Sequence, residues 1–199
     1  MSRRPSLTGP EQTREARGRS RGQTLAEFGI TISLLIVLIL GIFQVGYLIY
    51  QQYMAINLAR EGANLALREK SLDVVESAIR SARPDFDADT KLILSVVELG
   101  PEGGPTAGDP IITQRHVAGT LTGASVLGEP PPSSYGAGPT YTAKYLGDNS
   151  IRARAPLPNS LTIRQGQSVY VAEIYLKRRD ITPLAGVQLP NSLYSVAYF

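Results

Sequence analysis

The chain contains no cysteine. A disulfide framework and a thiolate metal site are both excluded, and the redox compartment leaves no trace in the sequence. Histidine is nearly absent too, His116 being the single one. A lone imidazole in a strand-like stretch reads as structural or solvent-facing rather than catalytic. Basic charge is missing from most of the chain despite a net of +3. Residues 1–22 hold six arginines against Glu11 and Glu15, so the other 177 residues carry 14 basic and 15 acidic side chains. The basicity belongs to the N-terminal tail, which argues against a nucleic-acid-binding face on the folded part. No phosphate-binding glycine loop follows a strand, and "GASVL" around Ser125 lacks the second glycine of a nucleophile elbow. No constellation suited to running a reaction emerges, and no cofactor is expected.

Charge is also absent from "GITISLLIVLILGIFQVGYLIY", Gly29 to Tyr50, a run of 22 residues. At 1.5 Å per residue it reaches about 33 Å, enough for a hydrocarbon layer of about 30 Å. A signal-peptide core is shorter, about 7–15 residues. Tyr47, Tyr50 and Tyr53 follow as an interfacial belt would, so the sequence predicts one membrane-spanning helix. Arginines crowd its N-terminal flank, and Arg60 is the first basic residue after it. The positive-inside bias places the N-terminus in the cytoplasm and the C-terminal part outside.

Beyond the span the helix is expected to continue. Leu58, Gly62, Leu65, Leu72, Val75 and Ile79 recur at three- and four-residue steps. Ser71 is placed to cap a second helix, Glu76 and Arg80 form an i, i+4 pair, and Arg83-Pro84 ends it. Strands follow. "KLILSVVEL" (91–99) is rich in β-branched residues, and "TYTAKYL" (140–146) alternates. "SVYVAEIYLK" (168–177) puts Val169, Val171 and Glu173 on one face, and Tyr170, Ala172, Ile174 and Leu176 on the other. "LYSVAYF" closes the chain, and 111–122 is a further strand candidate. The segments "GPEGGPTAGDP" and "GEPPPSSYGAGP" read as loops. The expected fold class is α+β: a long N-terminal transmembrane helix, continued outside the membrane and packed on a small antiparallel sheet. Its organisation is a basic disordered leader (1–22), the spanning helix (23–53), an extramembrane helical segment (54–83) and a β-rich domain with Gly/Pro-rich loops (84–199).

Asp85, Asp87 and Asp89 in "PDFDADT" have the spacing that opens a calcium loop, a weak metal candidate. The turn glycine is replaced by Thr90 and the bidentate glutamate by Val96, which favours a solvated turn. Small residues in the first helix have a different use. Gly29 with Ser33, Ala59 with Ala63, and Gly41 and Gly46 let helices approach closely.

Gly22-Gln23-Thr24-Leu25-Ala26-Glu27-Phe28 resembles a type IV prepilin processing site: a basic leader ending in glycine, a glutamate five residues on, an aromatic, then the apolar helix. The stretch "LILGIFQVGYLIYQQYMAINLAREGANLAL" (38–67) resembles the TadE-like (TadE/TadG-type) pseudopilins of the tight-adherence (Tad/Flp) type IVb pilus machinery, and "VYVAEIYLKRRDITPLAG" (169–186) is similar to their closing strand and Thr-Pro-Leu turn. Position 44 holds Gln where relatives often carry an acid. The resemblance implies a bacterial inner-membrane, single-pass, non-enzymatic minor pilin or pseudopilin. It also implies cleavage after Gly22 by a prepilin peptidase, leaving Gln23 first and Glu27 as charge partner of the new amine. Its implied partners are the membrane, the peptidase, other pilin-like subunits and pilus assembly proteins in a hetero-oligomer, with a role in adhesion. The alternative is an unprocessed signal-anchored binding module without a pilus role.

Overall fold

The computed structural model describes residues 11–68, 71–153, 157, 161–179 and 190–199, with side chains from Gly22 onward. Two helices, one helical turn and five strands follow in order: α1 (Glu11–Arg68), α2 (Leu72–Ala82), α3 (Phe86–Asp89), β1 (Thr90–Leu99), β2 (Pro110–Gly119), β3 (Thr140–Thr142), β4 (Ser168–Lys177) and β5 (Ser192–Tyr198). The expected α+β class holds, with a long apolar helix followed by an antiparallel sheet carrying helix on one face. Two compact units divide the chain, the first carrying α1 as far as Tyr47 and the second running from Leu48 through the sheet.

In the first unit α1 is already helical from Glu11, where the sequence predicts a disordered leader over 1–22. The Glu, Gln, Ala and Arg residues of 11–17 are good helix formers, and they extend a helix already nucleated by the apolar run. From Gly22 to Arg68 the helix has mean hydropathy 2.6 in its most apolar window, of which only 6% is buried. A core helix of a water-soluble fold would hide that face. Here Leu25, Phe28, Ile30 and Leu34 stand 61–72% exposed. The helix is long and apolar enough to cross a membrane.

In the second unit the sheet order is β3-β2-β1-β4-β5, all antiparallel. The β1 register slips at Val96/Val97 opposite β2, a bulge at Thr113 that changes which β2 residues face each way. Gly119, at φ +88°, closes β2; a Cβ there would lie 2.1 Å from the Thr90 carbonyl oxygen, so only glycine fits. Expected strands 91–99, 168–177 and the closing segment are all present. The 140–146 candidate shortens to three residues because Ala143 leaves the strand to bridge Tyr135. The Thr-Pro-Leu turn at 182–184 lies outside the described residues.

Alternation in β4 sorts as its sequence predicts. Ala172, Ile174 and Leu176 join Leu92, Leu94 and Val96 under the helices, while Val169 and Val171 join Val97, Ile111, Ile112, Leu127 and Ile151 on the far face. The helix side of the first core holds a surprise. Its seam is Ala55, Ala59, Gly62, Ala63 and Ala66, all buried, with Leu58 and Leu65 only partly covered beside it. Steps of three and four put these small residues on one stripe. Small side chains bring the helix backbone close to the sheet: a Cβ at Gly62 would meet Ile79 Cδ1 at 3.0 Å and Ala172 Cβ at 3.3 Å. Ala59 and Ala63, expected as a membrane packing pair, are therefore fully buried against α2 and the sheet of their own chain.

Candidate functional site

Helical spacing alone brings Gln23 under Glu27. The Gln23 amide donates to Glu27 Oε1 at 2.9 Å, one turn apart on an exposed face. Thr31 and Ser33 then return their hydroxyls to the helix itself, donating to the carbonyls of Glu27 (2.8 Å) and Gly29 (2.9 Å). Polar side chains in the span are thus satisfied without water. Gly22, Gly29, Gly41 and Gly46 have open space where a Cβ would stand. Gln44 is buried to 3% exposure, unlike its neighbours Phe43 (65%) and Val45 (56%).

Just past the span, two glutamines tie α1 to the sheet. Gln51 donates to the Arg179 carbonyl at 2.8 Å and accepts from the Arg179 N–H at 2.9 Å, completing the backbone bonds of a chain leaving β4. Gln52 donates to the Tyr194 carbonyl on the outer edge of β5 at 3.2 Å. The pairing of Gln51 and Gln52 with β4 and β5 has no local signal in the sequence.

Asp85, Asp87 and Asp89 are each ion-paired with a basic side chain. Arg179 Nη2 pairs with Asp85 at 3.0 Å and its Nε with Asp89 at 3.1 Å, Lys177 stands 3.8 Å from Asp89, and Asp87 pairs with Arg80. Among the described residues no group of three His, Asp or Glu side chains is placed to hold a metal ion. The helical turn α3 sends Asp87 toward Arg80 while Asp85 and Asp89 share Arg179, an ion-pair arrangement rather than a calcium loop. Hydrogen bonds from Arg179 hold the Asp89 carboxyl below its ordinary range, the larger of two opposed effects, burial acting the other way.

His116 is buried rather than solvent-facing. It is 2% exposed, with Nε2 2.7 Å from Glu76 Oε2 and Nδ1 3.3 Å from the Thr140 hydroxyl, joining α2, β2 and β3. Burial pushes the Glu76 carboxyl up, but hydrogen bonds from Arg80 and His116 together bring it below its usual value. Both depressed carboxylates stabilise the fold above the unfolded value near 4, and that contribution is lost as pH falls through the lower folded value. Thermal melting of the full chain in detergent should therefore drop as pH falls below about 4, and Asp89→Asn should shrink that drop. An unchanged acid slope in Asp89→Asn counts against the Arg179–Asp89 linkage.

On the far face of the sheet lies a polar network that pattern reading alone does not assemble. Glu173 is completely buried on β4. Its Oε1 accepts from the Ser125 hydroxyl at 2.5 Å, and its Oε2 accepts from the Val126 N–H and the Tyr194 hydroxyl, each at 2.8 Å. Arg115 of β2, 7% exposed, donates to the Ser125 hydroxyl (2.9 Å), the Ser95 hydroxyl (3.3 Å) and the Gly128 carbonyl (2.6 Å). Ser125 thus stands between a buried cation and a buried anion. The chain's one imidazole, His116, faces α2 across the sheet and does not reach Ser125. The signal in the sequence is one acid inside the apolar "VYVAEIY", which demands partners from elsewhere.

Residues 22–64 match the family model described as "TadE-like protein". The matched stretch runs from the glycine before Gln23, through the span, to the small-residue seam that docks on the sheet. No curated protein and no solved structure matches the chain.

Proposed function

We propose, from the TadE-like match of residues 22–64 and one helix long and apolar enough to span a membrane, that the chain is a membrane-anchored, pilin-like structural component of Tad-type pilus assembly. It sits in the bacterial inner membrane with its N-terminus in the cytoplasm. A prepilin peptidase cuts after Gly22, making Gln23 the first residue. The new α-ammonium, with a pKa near 8, is a cation beside lipid that needs a counter-charge. The observation that carries this reading is the Gln23–Glu27 contact of 2.9 Å, since it sets the only carboxylate of the span one turn from the bond to be cut. Assembly then rests on lateral packing of spans from several pilin-like subunits, with Gly29, Ser33, Gly41 and Gly46 as approach points.

N-terminal sequencing and intact mass of the protein from native membranes should show a chain beginning at Gln23. Gly22→Ala should abolish that cut. Glu27→Ala should be cut normally yet be lost from assembled pilus complexes. A chain beginning at Met1 or Ser2 in peptidase-proficient cells overturns the pilin reading in favour of a signal-anchored binding module.

A further inference from the structure

Between the far face of the sheet and the loops that cover it lies a cleft of about 300 Å³, the low end of the range for small-ligand sites. Its floor is made by Lys91 and Ile93 of β1 and Arg115 and Val117 of β2. Pro130 and Pro132 form a stiff wall, and Tyr141 stands at the rim, 38% exposed. The cleft is apolar along most of its length and cationic at two points.

Several other cations of this unit are paired with acids and, among the described residues, the two in the cleft are not. Arg80, Arg152, Lys177 and Arg179 each have a carboxylate within 4 Å. Lys91 is bonded to the Gly123 carbonyl and Arg115 to two hydroxyls and a carbonyl, all neutral acceptors. Arg115 has five N–H donors, so three bonds leave two unused. Glu173 makes no ion pair with Arg115 among the described residues; its oxygens accept from Ser125, Val126 and Tyr194. Glu129 lines the cleft from an exposed position and makes no ion pair with either cation among the described residues. A desolvated guanidinium with donors to spare, beside an apolar slot, selects an acceptor carrying negative charge.

We propose that this cleft binds a small carboxylate with a short apolar body, the carboxylate on the Arg115 guanidinium within the field of Lys91 and the body along Ile93, Val117 and Tyr141. Such a group is offered both by a free carboxylic acid and by the C-terminus of a peptide ending in an aliphatic residue. Glu129 competes weakly for the same cations. This inference is independent of processing at Gly22 and stands or falls separately from it.

The test is methyl NMR on the full chain in lipid nanodiscs with labelled isoleucine and valine. Pentanoate and acetyl-alanyl-leucine are titrated beside pentanamide and acetyl-alanyl-leucinamide. Ile93 and Val117 methyls should shift while Ile79 and Ile174, in the opposite core, stay still. At least one carboxylate should bind about tenfold tighter than its amide. Response to pentanoate alone identifies a free acid, and response to the peptide alone identifies a chain terminus. Lys91→Met, with folding checked by unchanged Ile79 and Ile174 signals, should weaken binding about fivefold, and Glu129→Gln should strengthen it about threefold. Equal response to acids and amides, no shift at Ile93 and Val117, matching shifts at Ile79 and Ile174, or indifference to both substitutions each overturns the proposal.

Discussion

Glu173→Ala should cost the sheet domain about 3–5 kcal/mol, the largest loss expected from any single truncation. The deleted carboxylate is completely buried and accepts three hydrogen bonds, and its removal strands the Ser125 hydroxyl, the Val126 N–H and the Tyr194 hydroxyl. Arg115 meanwhile keeps its charge and loses the anion that balances it through Ser125. Burial already presses the Arg115 guanidinium toward its neutral form. Replacing both ends together, Arg115→Met with Glu173→Leu, should recover much of the loss, because an apolar pair of similar volume has no charge to desolvate. Urea unfolding of the detergent-solubilised full chain, followed by circular dichroism, gives both numbers. A single-mutant cost under about 1 kcal/mol, or a double mutant worse than Glu173→Ala, contradicts the network as the tie between the far-face loops and the sheet.

Ala59→Leu should destabilise the domain by about 1–3 kcal/mol, and Ala59→Leu with Ala63→Leu by more than either alone. Both side chains have no exposed surface, and the seam they occupy is closed on the other side by Ile79, Leu94 and Ala172. Extra carbons there push the helix off the sheet and pull on the Gln51 and Gln52 bonds about two turns before Ala59. Leu67→Ala, at a site 52% exposed, is the control and should change little. The experiment also separates two uses of small residues. A membrane packing pair would alter association in the bilayer and leave unfolding alone, whereas the seam predicts the reverse. Unaltered stability with lost association would return Ala59 and Ala63 to the role their spacing suggests.

Much of the architecture was legible from local pattern because it is locally caused. The span announces itself by an uncharged run, β1 by its β-branched residues, and β4 by an alternation that correctly split Ile174 from Val171. The Glu76–Arg80 pair forms within α2 and Arg83-Pro84 ends it as expected, whereas Ser71 stands at the N-cap position with no capping hydrogen bond from its side chain. What pattern missed was decided at long range. Alanine is nearly neutral in an apolar count, so the periodicity picks out Leu58 and Leu65, which lie at the margin of the seam from Ala55 to Ala66, and the Ala59–Ala63 spacing points to a membrane partner instead of the sheet. Three aspartates two apart looked like a ligand set until Arg179, about ninety positions later, came to sit among them. Glu173 was visible as an oddity, but Arg115 and Ser125 become its companions only when β1 pairs with both β2 and β4 and the loop carrying Ser125 covers that face. At the N-terminal site the glycine, the glutamate and their spacing were all in the sequence; the helix adds that Gln23 and Glu27 touch.

The phenols gathered around that interior acid make the chain its own alkaline indicator. Tyr194 lies against Tyr175 with ring centres 4.7 Å apart, and burial first, then the charge of Glu173, raises the ionisation of Tyr175, Tyr194 and Tyr198 above its ordinary range. Tyr135, buried beneath the loops, is pushed up to about 12. A proton kept longer in the folded state stabilises that state below pH 10 and ceases to do so as the solution climbs toward the raised value. With no tryptophan to obscure it, phenolate absorbance then comes in two waves, the first from solvated rings and the second from rings released as the sheet gives way.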